Sequence, residues 1–418
     1  MRVSDRCVAY GPVVSPAVNS PWIGADLDAL LAVRLNRTLA GSVLASRTAR
    51  IVFDAGSAGV WTVVLLAGRS RVQRGALAHP TLVVRAAASV LVEVVSGAVS
   101  GVHAFLDGRL SVRGDLALSL QLDGLWERDT PRPVDHPQCF EVQALGIRTL
   151  YLEAGPPDAP PVLLLHGLGA TNASLLPVLA DLARDYRVLA PDLPGFGSSD
   201  APNAAYSSAW FAAWAEDFQR AVGARPAVVI GNSLGGRIAL EIGLTHPSSV
   251  RGLVLLTPSP AFRRLRQLAP VVRLLSPQWA RLPTLPVNHR LTVESIRAMF
   301  AVPDRLPDGW YDAAADEAVR VLRSPPHRVA FLSCTRHIYL ESAYGREGFW
   351  DRLPTLQPPS LFLWGDRDRL VPSTFARHVT GALPDATSVV LHDCGHVPQF
   401  EHPAQTMALI RQFLGGLA

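Results

Sequence analysis

Ser233 stands in the run Gly231-Asn232-Ser233-Leu234-Gly235. The unbroken apolar stretch Ala227-Val228-Val229-Ile230 precedes it, and a helical one, Arg237-Ile238-Ala239-Leu240-Glu241-Ile242-Gly243-Leu244, follows and stops before His246-Pro247. A serine on a sharp turn between a buried strand and a helix projects its hydroxyl clear of the sheet, and flanking glycines make room for the crowded backbone. The chemistry open to such a serine is nucleophilic attack. It needs a base to take its proton and a third group to hold that base. An ordinary strand, turn and helix carrying an idle serine is the plain alternative, so the partners decide.

Two downstream segments offer partners. Leu361-Phe362-Leu363-Trp364 is a continuous apolar strand that runs into Gly365-Asp366-Arg367-Asp368, with Val371-Pro372 beyond. Ser388-Val389-Val390-Leu391 is another strand, leading to Cys394-Gly395-His396-Val397-Pro398. Each places an ionisable residue just past the carboxyl end of a buried strand, where open α/β sheets keep their sites. Asp368 and His396 are therefore the expected acid and base. Asp366 competes with Asp368 for the acid. His392 lies before the turn and reads as structural. The strand Gly252-Leu253-Val254-Leu255-Leu256 is followed by Thr257-Pro258 and offers no acid.

From residue 138 onward the chain resembles the α/β-hydrolase superfamily. The likeness rests on Leu165-His166-Gly167, on Ala190-Pro191-Asp192-Leu193-Pro194-Gly195-Phe196-Gly197-Ser198-Ser199-Asp200, on Gly231-Asn232-Ser233-Leu234-Gly235-Gly236, on Trp364-Gly365-Asp366-Arg367-Asp368 and on Cys394-Gly395-His396. It implies a mostly parallel, doubly wound sheet with a helical cap, and a triad in the chain order Ser233, Asp368, His396. It also implies an oxyanion hole built from the backbone N–H groups of Leu168, in the loop after Pro161-Val162-Leu163-Leu164-Leu165, and of Leu234, with His166 bracing that loop. The Gly-Asn-Ser-Leu-Gly-Gly turn and the ending Cys-Gly-His-Val-Pro-Gln-Phe-Glu are similar to monoacylglycerol-lipase-type enzymes and to the meta-cleavage-product C–C hydrolases. The latter usually carry a more glycine-rich oxyanion loop than His166-Gly167-Leu168-Gly169-Ala170, which favours an ester. A serine nucleophile departs from epoxide hydrolases and haloalkane dehalogenases, which place aspartate there.

At 418 residues the chain is long for one core, since domains run to about 100–200 residues. Its 49% hydrophobic and 18% charged content describes a well-packed protein. Every basic residue among the 39 is arginine, which with abundant Ala, Gly and Pro reflects a GC-rich genome and not nucleic-acid binding. Cys7, Cys139, Cys334 and Cys394 have neither paired nor metal-ligand spacing, so no disulfide framework or zinc site is expected. No cofactor is implied. The apolar stretch from Ala86 to Val102 is too short to span a membrane and contains Glu93. With no convincing targeting segment, a cytoplasmic location is expected.

The expected organisation is a tail over 1–20, a small domain over 21–127, a linker over 128–137 and the hydrolase domain over 138–418, with its cap at about 259–352. Within the small domain, Asp26 to Leu39 reads as an amphipathic helix. The runs Ile51–Asp54, Trp61–Leu66, Arg71–Arg74 and Thr81–Val84 read as a strand meander. Helices are expected at about Ala86–Val95 and Val99–Phe105, then a strand over Gly108–Asp115 and a helix over Leu116–Leu125. The segment Gly101 to Trp126, above all Phe105-Leu106-Asp107-Gly108-Arg109-Leu110-Ser111-Val112-Arg113-Gly114-Asp115-Leu116, resembles sterol-carrier-protein-2-type lipid-binding domains. That resemblance implies a small α+β fold around an apolar tunnel for acyl or sterol ligands. The residues alone give an apolar inventory that could equally pack its own core.

The cap region carries Phe262–Leu268 and Val271–Leu275 at amphipathic helical spacing. From Ile242 to Val293 there is no acid but seven arginines, at 251, 263, 264, 266, 273, 281 and 290. Such a face suits an anionic lipid surface or an acidic head group; solvated arginines are the simpler reading. Three functions follow. The first is a serine hydrolase of lipid-like esters working through an acyl-enzyme, with a hydrophobic small molecule as substrate and peripheral membrane contact through the cap. The second is a C–C hydrolase of ring-cleavage products. The third is a non-catalytic lipid carrier.

Overall fold

The computed structural model describes residues 27–35, 37–38, 43–122, 134–259, 269–274, 276–281 and 287–417. The expected tail over 1–20, most of the expected linker, and arginines 263, 264 and 266 lie outside the described residues.

Two sheets organise the chain. The first holds β1 (Arg37–Thr38), β2 (Ala49–Asp54), β3 (Val60–Leu66), β4 (Arg69–Arg74), β5 (Leu82–Ala86) and β6 (Leu110–Gly114) in the order β1-β4-β3-β2-β5-β6. It departs from the expected meander at one pairing. β5 returns beside β2 in parallel, so Ile51 faces Leu82 and Asp54 faces Arg85, and β6 then pairs antiparallel with β5. The helix expected over Asp26–Leu39 is shorter, at Leu27–Leu35. Arg37 and Thr38 instead pair with Ser70 and Arg69, where the β4 edge offers backbone partners that outweigh local helical preference. The apolar stretch after β5 breaks into helices Ala88–Ser96 and Gly101–Leu106. Gly97 in the left-handed conformation ends the first, and the Ser100 hydroxyl caps the second by accepting the Val102 N–H. Asp115 caps Leu116–Gln121 in the same way, on the Leu118 N–H at 2.8 Å.

The second sheet holds β7 (Gln138–Ala144), β8 (Ile147–Ala154), β9 (Pro161–Leu165), β10 (Arg187–Pro191), β11 (Ala227–Asn232), β12 (Val250–Leu256), β13 (Ser360–Gly365) and β14 (Thr387–Leu391), in the order β14-β13-β12-β11-β9-β10-β8-β7. Pairing is parallel from β14 to β10, and antiparallel where β8 joins β10 and β7 joins β8. Every residue of β11 and β13 is buried. That explains their continuous apolar runs, because a parallel sheet is covered on both faces. Successive side chains then enter different cores: Val162 and Leu164 of β9 pack into one, Leu163 and Leu165 into the other.

The first of these cores runs on into the amino-terminal sheet. Leu175, Leu176 and Leu179, at the start of the helix after β9, share it with Phe53, Leu91, Phe105 and Leu118. The two sheets are thus joined by apolar packing and not only by the chain between them. Between β12 and β13 lies the cap, with helices Ala269–Leu274, His289–Arg297, Asp308–Arg323 and Pro325–Leu340. Among the described residues no helix is long and apolar enough to cross a membrane.

Candidate active site

Ser233 sits between β11 and the helix Leu234–Thr245, with φ at +54° and ψ at −113°. A serine pays strain in that conformation, which persists only where the surroundings hold it. Here its N–H donates to the Leu256 carbonyl at 3.0 Å, and its carbonyl accepts the N–H groups of Arg237 and Ser259, each at 3.0 Å. The flanking glycines are a steric requirement. A Cβ on Gly231 would lie 2.3 Å from the Gly235 oxygen, and one on Gly235 would lie 2.0 Å from the Leu165 oxygen. The turn therefore packs its own backbone against the end of β9.

His396 and Asp368 meet. The His396 Nδ1 lies 2.7 Å from Asp368 Oδ2, with both side chains buried. The other carboxylate oxygen of Asp368 accepts the N–H groups of Leu370 and Val371 at 2.8 and 2.9 Å, which fixes the carboxylate plane. Asp366 points elsewhere. It bonds the Nδ1 of the exposed His392 at 2.7 Å and accepts the Cys394 N–H, and those contacts hold its carboxyl below the usual range although burial opposes them. Ser233 and His396 are brought to neighbouring loops, but no hydrogen bond joins their side chains in this state. Unliganded sites commonly show that separation.

Their loops are tied through backbone. The carbonyl of His396 accepts the Thr257 hydroxyl at 2.8 Å and the Asn232 amide at 3.2 Å. Asn232, next to Ser233, is thereby tied to the histidine's backbone. On the other side the cap grips the same loop. The His396 N–H donates to the Met299 carbonyl at 2.8 Å, and a Cβ on Gly395 would lie 2.3 Å from that oxygen. Glu401 accepts the Gly395 N–H on one oxygen at 2.8 Å and the Ala301 N–H on the other at 2.7 Å, and burial raises its pKa. Sequence reasoning missed Thr257, Met299 and Glu401. Glu401 left a trace as the last residue of the Cys-Gly-His ending; Thr257, which acts through its hydroxyl, and Met299, which acts through its backbone carbonyl, left none.

The loop after β9 lies against the serine, where a Cβ on Gly167 would stand 3.3 Å from the Ser233 Cβ. The Leu168 N–H has no acceptor among the described residues. The Leu234 N–H is the first of its helix, which leaves it without an intrahelical acceptor. His166 is fully buried and holds this loop. Its Nδ1 lies 2.8 Å from the Gly167 carbonyl, and its Nε2 accepts the Leu193 N–H at 2.9 Å, so the ring is the neutral Nδ1–H tautomer. Burial pulls its pKa down to about 4. Leu193 is placed in turn by Asp192, whose carboxylate accepts the Asn172 and Ser198 N–H groups at 2.9 and 2.8 Å. A Cβ on Gly197 would lie 2.1 Å from that carboxyl carbon, which accounts for the glycine in Gly195-Phe196-Gly197.

Arg237, one turn beyond the serine, is buried between Glu241 and the cap's Glu341, while Arg352 holds the other oxygen of Glu241 at 2.7 Å. This buried network ties the nucleophile helix to the far root of the cap.

Among the described residues, the N-terminal sheet and its helices border a small apolar void. This apolar cavity is about 50 Å³, lined by Phe53, Leu91, Phe105, Leu120 and others, with Pro137 of the linker and Leu176 of the hydrolase domain also in its wall. An apolar cavity of about 150 Å³ takes one benzene. The tunnel implied by sequence resemblance is therefore largely filled by its own side chains here.

Comparison with known proteins follows the same division. Residues 160–403 match the family model of the alpha/beta hydrolase fold, and residues 28–127 match that of the SCP-2 sterol transfer family. The chain is 29% identical over 269 residues to a 2-hydroxy-6-oxo-6-(2'-aminophenyl)hexa-2,4-dienoic acid hydrolase of Metapseudomonas resinovorans, covering 63% of this chain and 86% of the relative. It is also 29% identical over 262 residues to a pimeloyl-(acyl-carrier protein) methyl ester esterase of Aeromonas hydrophila subsp. hydrophila, covering 62% and 96%. Among solved structures, a membrane phospholipase A described as a bacterial virulence factor superposes with a TM-score of 0.57 at 28% identity, over 68% of this chain and 87% of that one. These relatives cleave different bonds within one fold. The chain belongs to the alpha/beta hydrolase fold family and carries an SCP-2 sterol transfer domain at its amino terminus.

Proposed function

We propose that the protein is a serine hydrolase of carboxylic esters with apolar, lipid-like acyl groups. The observation that carries this reading is the buried Asp368–His396 hydrogen bond beside the strained Ser233 turn. Asp368 keeps the proton of His396 on Nδ1, so Nε2 is free to take the Ser233 proton as Oγ attacks the ester carbonyl. The tetrahedral oxyanion is held by the N–H groups of Leu168 and Leu234. His396 returns the proton to the departing alkoxide and leaves an acyl-enzyme. Water, deprotonated by His396, then releases the acid and restores the serine.

An apolar acyl group is supported by the cap. Phe331 lies over the oxyanion loop, close enough that a Cβ on Gly169 would meet its ring at 2.9 Å. The SCP-2 match supports an accessory role for the amino-terminal domain in binding an acyl chain or sterol, in a state more open than the present one. Contact with a lipid surface through the cap is supported by Leu274 and Trp279, which are 80% and 60% exposed and flanked by the exposed Arg273 and Arg281.

The C–C hydrolase relative supports a second reading, in which the same residues act on a ring-cleavage product. Hydrolysis of p-nitrophenyl esters across acyl lengths, by wild type and Ser233→Ala in parallel, separates the two. The ester reading expects turnover that rises with chain length and disappears in the variant. A folded wild type with no ester turnover, but activity on a vinylogous diketone, would replace it with the second.

A further inference from the structure

The cap helix Asp308–Arg323 is bonded directly to the SCP-2 domain. Asp316 accepts from the Arg113 guanidinium and from the Gly114 N–H, each at 2.8 Å, and Arg320 approaches Asp115 at 3.5 Å. At the start of this helix, Trp310 lies between the two domains. Its ring stacks on Phe105 with centroids 5.5 Å apart and planes 16° from parallel, and its Nε1–H donates to the Phe105 carbonyl at 3.2 Å. On its other side it meets Phe400 edge-on, with centroids 5.3 Å apart.

Both neighbours lead somewhere. Phe105 lines the apolar cavity of the SCP-2 domain. Phe400 stands four residues beyond His396 and next to Glu401, the carboxylate that binds the Gly395 N–H and the cap's Ala301 N–H together. We propose that Trp310 is a positioning residue that couples filling of the SCP-2 cavity to the placement of the His396 loop, so that an acyl ligand in that domain raises turnover at Ser233. This rests on Ser233 and His396 acting together as proposed above.

The coupling is one of volume. At about 50 Å³ the cavity cannot accept an acyl chain unless lining side chains move, because packed cores shift between discrete arrangements instead of stretching. Phe105 is the lining residue whose ring stacks on the cap, so its displacement is felt by Trp310 and then by Phe400. The His396 loop is the element that this path reaches, because Phe400 and Glu401 follow it directly and Glu401 holds the Gly395 N–H at 2.8 Å.

The test uses the full chain, with p-nitrophenyl acetate as substrate and dodecanoate, below its micelle concentration, as the cavity probe. Competition at the active site raises KM, whereas coupling raises kcat, so the two effects separate. The expectation is a rise in wild-type kcat of at least about fivefold, lost in Trp310→Ala and in Phe105→Leu and partly kept in Trp310→Phe, which preserves the stack. Thermal unfolding and labelling of Ser233 by a fluorophosphonate check that each variant is folded. If the wild type turns over no ester, the proposed substrate class fails, and the labelling rate of Ser233 reads the coupling in its place. Unchanged kcat and labelling rate with dodecanoate bound would overturn the proposal, as would failure of dodecanoate to bind or an equal response in wild type and Trp310→Ala.

Discussion

The two sheets of this protein place their polar and apolar residues in opposite ways. In the parallel sheet, polar groups stand at strand ends: Ser233 after β11, Asp368 after β13 and His396 after β14, each fixed by backbone hydrogen bonds. In the mainly antiparallel amino-terminal sheet the corresponding feature is an apolar volume, lined by Phe53, Leu91 and Phe105, with no such cluster among the described residues. A parallel sheet concentrates chemistry at one edge, because its helices occupy both faces. A small sheet with helices on one face can only offer an interior. The difference teaches that one half depends on atoms placed to within fractions of an ångström, and the other on how much space its side chains leave.

The largest effects should fall on the strand-end cluster and spare the interior. Ser233→Ala is expected to lower kcat/KM for a preferred ester by about 10⁴–10⁶, with the unfolding temperature and dodecanoate binding unchanged. Loss of dodecanoate binding in that variant would show that the two halves share one site. Asp368→Asn should cost about 10³–10⁴ in kcat, while Asp366→Asn, which loses only contacts to His392 and Cys394, should cost less than about tenfold. Reversal of that order would move the acid to Asp366.

A smaller effect concerns the brace behind the oxyanion loop. Burial lifts the pKa of Asp192 to about 7, against the lowering influence of the Asn172 and Ser198 N–H groups. A carboxyl raised in the folded state binds more protons there than when unfolded, so its contribution to stability is full below about pH 4 and is lost as pH rises through 7. Wild type should therefore gain on Asp192→Asn as pH falls from 7 to 4, by an amount on the order of a few kcal/mol. Urea unfolding of both proteins across that range measures it, and a constant difference would show that Asp192 is ionised throughout. The smallest effect is at the cap: Leu274→Glu with Trp279→Ala should reduce co-sedimentation with anionic vesicles and leave hydrolysis of p-nitrophenyl acetate unchanged. Equal sedimentation would remove the lipid surface from the account.

Legibility followed the same division. Ser233 and Asp368 were singled out because each follows a continuous buried apolar strand, whereas β14 before His396 is a partly exposed edge strand and not the buried one expected; Gly231, Gly235 and Gly395 are glycines that the backbone packing requires. Sequence favoured Asp368 but left Asp366 as a competitor, since which carboxylate the loop turns towards His396 is decided in three dimensions. The clamp of Met299 and Glu401 on the histidine loop depends on where the cap chain passes, which no local pattern encodes. In the amino-terminal domain the elements were visible in outline, yet the parallel return of β5 to β2 was not, because pairing partners are chosen in three dimensions. Nor could composition give the cavity's size. Apolar residues that line a tunnel and those that fill it are the same residues.

The central claim is that Ser233 forms a covalent acyl-enzyme under the control of His396. Its most direct test is intact-mass spectrometry of the protein quenched in acid during turnover of a long-chain p-nitrophenyl ester, followed by peptide mapping. The account predicts one added acyl mass, on the peptide containing Ser233, absent in Ser233→Ala and strongly reduced in His396→Ala. Ester turnover with no acyl adduct on Ser233, or with the adduct on another residue, would contradict it.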